Sequence, residues 1–152
     1  MDSGSTPANP KTVKIRTDPP GGQTLTFWGV RGSIPTPKQD NLGYGGNTSC
    51  LEIRGADHEI AIFDTGTGIR GLGELLVRQS QGKGLKLHIF LTHYHWDHIQ
   101  GLPLFAPLHR AETEIIFHAS ERLGSIQQHL SGQMKAPYFP VKFEEIPARL
   151  RF

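Results

Sequence analysis

Hydrophobic and polar positions change period several times along this chain, and each change marks an element. TLTFWGV (24–30) is dense in β-branched and aromatic side chains and reads as a strand. TSCLEIR (48–54) and HEIAIFD (58–64) are two more strands, joined by a turn at Gly55–Asp57 into a hairpin. Ile69, Leu72 and Leu76 then recur at i, i+3 and i+7, with Leu75 beside them. That stripe predicts an amphipathic helix within TGTGIRGLGELLVRQ, weakened by Gly71 and Gly73. LKLHIFLT (85–92) is short and mostly apolar, as a strand buried on both faces would be. EIIFHAS (114–120) is a further strand, ERLGSIQQHLSG a short helix closing at Gly132, and YFPVKFEEI (138–146) a final strand. Strands come first and then alternate with helices, which sets a mixed α+β class.

Two stretches escape this patterning. RGSIPTPKQDNLGYGGN, between the first two strands, is a loop long enough to suggest a working role. Residues 1–22 are rich in Ser, Thr, Pro, Gly and Lys and read as a flexible tail with a short extended piece at Thr12–Ile15. Residues 23–152 then form one domain.

Composition narrows the class. The 152 residues are 36% apolar and 20% charged, a soluble globular balance, and the 18 glycines and 11 prolines favour turns over long helices. A net charge of +2 argues against a dedicated nucleic-acid-binding surface. Cys50 is the only cysteine, so no intrachain disulfide forms. With no apolar run of membrane-spanning length and no signal-like N-terminus, the expected location is cytoplasmic.

The chemistry concentrates in FLTHYHWDHIQG, residues 90–101. In an extended segment His93 and His95 point the same way and can hold one metal ion. Asp97 and His98 are adjacent, so they diverge and address a second position nearby. Imidazole and carboxylate suit Zn²⁺, with one coordination position open for water, and two such ions can clamp a phosphoryl displacement. His58, His88, His109, His118 and His129 read instead as ordinary surface or core histidines. Cys50 reads as a small buried strand residue, and Trp96 as packing beneath the metal loop. Arg31 and Asn47 sit on loops able to line the same cleft, where glycine-rich backbone can approach a phosphate; a plain turn is the favoured reading.

T-H93-Y-H95-W-D97-H98 is similar to the His-x-His-x-Asp-His signature of the metallo-β-lactamase-fold hydrolases. FWGVRGSIPTP, YGGNTSCLEIR and IFDTGTGIRGLG resemble N-terminal sections of its ribonuclease Z-like, phosphodiesterase-type branch. GQMKAPYFPVKFEEIPARLRF resembles a segment from the middle of those proteins. The resemblance runs from about Thr24 to the last residue. It implies an αββα sandwich, His93 and His95 on a first metal, and Asp97 and His98 on a second. Asp97 would also orient the attacking water, and Asp64 would support the metal loops from outside the ligand set. For Asp64 a helix N-terminal cap is the competing reading, with Thr65 and Thr67 as rival caps.

The same resemblance implies two Zn²⁺ per complete site, with Mn²⁺ or Fe as substitutes. It implies a metal-bound hydroxide attacking a phosphodiester such as a nucleotide or RNA, and no membrane partner. The relatives' remaining ligands fall after the segment that ARLRF resembles. The expectation is therefore an incomplete sandwich, the N-terminal half to two-thirds, whose sheet exposes an apolar face. Activity would require a complementing C-terminal segment, through self-association or a second chain. The alternative is a non-catalytic fragment or interaction module with a weak or empty metal site.

Overall fold

The computed structural model describes residues 14–17, 22–41, 43–55 and 59–152. Seven strands form one sheet in chain order: β1 (Lys14–Thr17), β2 (Gln23–Gly29), β3 (Cys50–Arg54), β4 (Ile60–Phe63), β5 (Lys86–Phe90), β6 (Glu114–His118) and β7 (Arg149–Arg151). β1 to β4 pair antiparallel, and β4 to β7 pair parallel. Parallel neighbours need crossovers. The first is helix α1 (Ile69–Ser80); the second carries helix α2 (Trp96–Ile99) and 3-10 turns at Leu102–Leu104 and Ala106–His109; the third carries helix α3 (Ile126–Gln133).

Register explains the core. Ile62, Ile89 and Phe117 align across β4, β5 and β6 and are buried, as are Leu87 and Ile115. Ile69, Leu72 and Leu76 of α1 join them, with Leu102, Phe105 and Leu108 from the 3-10 turns. At the β2–β3 end the buried Glu52 is satisfied by Trp28 Nε1–H (2.9 Å) and Arg54 Nε–H (2.5 Å).

The opposite face of the sheet differs. Leu25, Ile53, Ala61, His88 and Ile116 form one register row, and Phe27, Leu51, Phe63, Phe90 and His118 another. Every one of these residues is only partly buried, and none belongs to the core cluster. Phe63, Phe90 and His118 stack in sequence, with ring centroids 5.1 and 4.4 Å apart. β5, expected to be buried on both faces, is therefore buried on one.

Three further expectations change. YFPVKFEEI is not a strand: Pro140 lacks the N–H a ladder needs, and Phe143–Glu145 closes a 3-10 turn with Phe143 buried. The last strand is β7, beside β6. The helix expected over 121–132 is split by Gly124 (φ +79°) into a 3-10 turn, Glu121–Leu123, and α3, whose N-terminus is capped by Ser125 Oγ accepting from the Gln128 N–H. Within the expected tail, Lys14–Thr17 forms β1; residues 1–13 and 18–21, the hairpin turn at 56–57 and His58 lie outside the described residues. No described helix is long and apolar enough to cross a membrane.

Candidate metal centre

The motif begins where β5 ends. After Phe90 the chain bends at Thr92, is extended at His95 (φ −63°, ψ 148°), then turns into α2, placing Asp97 in that helix's first turn. The loop after β4 locks onto this segment: the Thr65 N–H donates to His98 O (2.7 Å) and the Gly101 N–H to Thr65 O (2.9 Å). Gly66 makes the approach possible, because a Cβ there would meet Asp97 O, Ser49 O and Thr48 Oγ1.

His93 lies against both other histidines, with ring centroids 4.5 Å from His95 and 4.0 Å from His98. Asp97 and His98 do not diverge. The α2 turn curls them together, so that Asp97 Oδ2 is 3.4 Å from His98 Nε2. The Ser33 N–H, from the long loop, donates to the same Asp97 oxygen at 2.8 Å and holds its carboxyl below the usual range. Burial, and then His98 and His95, hold the His93 imidazole below its ordinary value, favouring the neutral ring.

Asp64 sits beneath, 3% exposed and with φ +60°. Its Oδ1 accepts from the Thr92 N–H (2.9 Å), and its Oδ2 pairs with His98 Nδ1 (2.7 Å) and accepts from Ser49 Oγ (3.2 Å). The Thr92 hydroxyl lies 2.9 Å from Oδ1 and gives its one proton to this carboxylate. Thr92 Oγ1 must then accept from His93 Nδ1, 3.0 Å away. Both imidazoles thus carry a proton on Nδ1, which leaves Nε2 as the ring nitrogen that a metal would take. Helix α1 is not capped by Asp64, Thr65 or Thr67; its N-cap is Gly68, with no side-chain cap.

The donor chemistry fits a cation. His98 Nε2 and Asp97 Oδ2 stand 3.4 Å apart, so one cation placed between them would meet both. Two ligands each about 2.1 Å from one ion, at a tetrahedral angle, stand about 3.4 Å apart. The match stops at pairs. Among the described residues no group of three His, Cys, Asp or Glu side chains is arranged to hold one ion.

The other residues singled out in the sequence lie outside this centre. Arg31 lines a neighbouring cavity of about 430 Å³ with Asp40 and Tyr44, and donates from Nη1 to Asn41 Oδ1 (3.1 Å). Asn47 is a loop brace, its carbonyl accepting from the Val30 and Arg31 N–H groups. Trp96 does not pack beneath the loop: it is 73% exposed. Cys50 is fully buried, which pushes its thiol well up. His109 and His129 donate to the carbonyls of Pro103 and Leu123, while His88 Nδ1 faces His118 Nε2 at 3.0 Å. Sequence reasoning missed Thr92 and Ser33. Thr92 stands directly before His93, but Ser33 is 64 positions from Asp97 and leaves no local signal.

The family model described as the metallo-beta-lactamase superfamily matches residues 43–121, just over half of the chain. Ribonuclease Z of Haloarcula marismortui is 29% identical over 128 residues, covering 82% of this chain and 37% of that protein. Ribonuclease Z of Pyrococcus abyssi is 30% identical over 140 residues, 84% of this chain and 40% of its own length. Ribonuclease Z of Staphylococcus epidermidis is 33% identical over 79 residues, 52% of this chain and 23% of that protein. The chain thus spans well under half the length of these curated relatives. No solved structure matches it significantly.

Proposed function

The chain belongs to the metallo-β-lactamase superfamily, and from that premise we propose that it carries part of the active site of a metal-dependent hydrolase acting on phosphodiester bonds. The observation that supports this most is the Asp64 network, which engages Nδ1 of His98 directly and Nδ1 of His93 through Thr92, with His98 Nε2 beside the Asp97 carboxylate. Similarity to proteins named ribonuclease Z supports a phosphodiester substrate, a nucleotide or an RNA.

In this reading His93 and His95 hold one ion, and Asp97 and His98 the other. Zinc is the metal these N and O donors favour, with Mn²⁺ and Fe also compatible. Divalent ions held there would supply Lewis acidity and activate water. The chain's own residues do the positioning. Asp64 fixes both imidazole tautomers, directly for His98 and through Thr92 for His93. The Ser33 N–H keeps the Asp97 carboxylate ionised and steady, so that it can orient the attacking water.

Two donors per ion fall short of the three protein ligands usual for catalytic zinc. We therefore assign the remaining ligands to a complementing segment or a second chain, seated on the half-exposed sheet face of Leu51, Phe63 and Phe90. A cytoplasmic location belongs to the same reading, supported by the single buried cysteine.

The absence of a three-donor group among the described residues favours a second reading, a non-catalytic module with a weak or empty site. Hydrolysis of bis(4-nitrophenyl) phosphate by the chain together with its complementing partner decides between them. Metal-dependent turnover lost in His95→Ala and Asp97→Ala supports the hydrolase; no turnover with the partner present supports the module.

A further inference from the structure

A cavity of about 590 Å³ opens beside the candidate metal centre and takes no part in it. Trp96 stands on its rim as the first residue of α2, between His95 and Asp97 in the chain. Tyr138 faces it from the loop after α3, and Phe139 and Leu104 complete an apolar lining. Trp96 is 73% and Tyr138 78% exposed, a large aromatic area to leave in water. Tyr94 lies against His129 with ring centroids 4.3 Å apart and the rings tilted by 31°.

Charge and polarity restrict what this cavity takes. No Asp, Glu, Lys or Arg lines it, so it is no place for a phosphate. Its volume lies within the roughly 300–1,000 Å³ of small-molecule sites. Two amides are among its polar groups, beside the Tyr94 hydroxyl and the His129 ring: Gln100 donates to Thr48 Oγ1 (3.4 Å) and Gln133 to Ile99 O (3.1 Å). Their Oε1 atoms accept no bond within the described residues. Exposed aromatic faces with a few amide acceptors suit a flat, neutral ring carrying N–H donors.

We propose that this cavity stacks a nucleobase of the substrate, Trp96 and Tyr138 gripping its faces while the phosphodiester lies toward His95 and Asp97. The proposal rests on the phosphodiesterase reading for the identity of the ligand, but its test does not use metal or turnover. Saturation-transfer NMR is run on the chain in chelator, with adenosine, ribose 5-phosphate and cyclohexanemethanol as separate probes. Expected is transfer to the adenine protons and none to ribose 5-phosphate. Affinity should fall roughly 5- to 150-fold in Trp96→Ala and in Tyr138→Ala. Both side chains are exposed, so these variants should keep the parent's thermal midpoint. No transfer to adenosine, equal transfer to cyclohexanemethanol, or binding untouched by both substitutions overturns the proposal. Stacking with no metal-dependent turnover beside the complementing partner would sink the hydrolase reading alone, and turnover without stacking would sink this one alone.

Discussion

Asp64 Oδ2 lies 2.7 Å from His98 Nδ1, across 34 positions of sequence, and this pair ties the turn after β4 to the helix that follows the histidine cluster. The carboxylate is almost fully buried, so its hydrogen bonds carry its whole compensation for leaving water. Its partners all belong to the β3, β5 and α2 ends that frame the site.

Asp64→Ala should therefore destabilise the chain by about 2–4 kcal/mol, because the donors of Thr92, Ser49 and His98 lose their acceptor. Asp64→Asn keeps the shape but turns an amide donor toward His98. It should weaken metal binding by roughly 10- to 100-fold. Urea unfolding and metal titration read the two effects separately. Wild-type metal affinity in Asp64→Asn would remove the tautomer argument.

Gly66→Ala tests the docking of the β4 turn on the metal loop. The added methyl meets backbone oxygens of Asp97 and Ser49, which cannot swing aside. A loss of about 3 kcal/mol is expected. An unchanged thermal midpoint would mean that the two loops sit farther apart.

The sheet face centred on Phe63 and Phe90 should drive association. Sedimentation of the untagged chain should show a mass that rises with concentration, and Phe63→Lys or Phe90→Lys should return it to the monomer. Both side chains are only partly buried, so the monomer should stay folded. A parent that is monomeric at every concentration rules out self-association through this face.

On the same face, burial and the neighbouring His88 hold the His118 imidazole below its ordinary value. Folding thus favours neutral His118, and the unfolded chain takes up the extra proton as pH falls through about 6.5. This contribution is complete above that pH and is lost on acidification toward the lower, folded-state value. The thermal midpoint should drop less between about pH 7.5 and pH 5.5 in His118→Asn than in the parent. Equal drops would contradict the assignment.

Local patterns in the sequence were informative wherever one face of an element meets the core. The Ile69, Leu72, Leu76 stripe and the β-branched runs of β2, β3 and β6 each needed only their own period to be recognised. YFPVKFEEI was misleading because its apolar residues suit a strand while Pro140 breaks the ladder. Four donors within six positions announced the site's chemistry. What stayed hidden was the Ser33 N–H on Asp97 and Trp96 standing in solvent; support of the metal loop by Asp64 came from the family resemblance and from no local pattern. The convergence of Asp97 and His98 was missed because α2 is a single turn, too short for a periodic signal.

The most direct measurement is calorimetric titration of the untagged, chelator-stripped chain with Zn²⁺, beside His93→Ala, His95→Ala and His98→Ala. A metal centre built on these residues predicts saturable uptake by the parent that is lost or sharply weakened in each variant. No uptake by the parent, or uptake that the three substitutions leave intact, would contradict it.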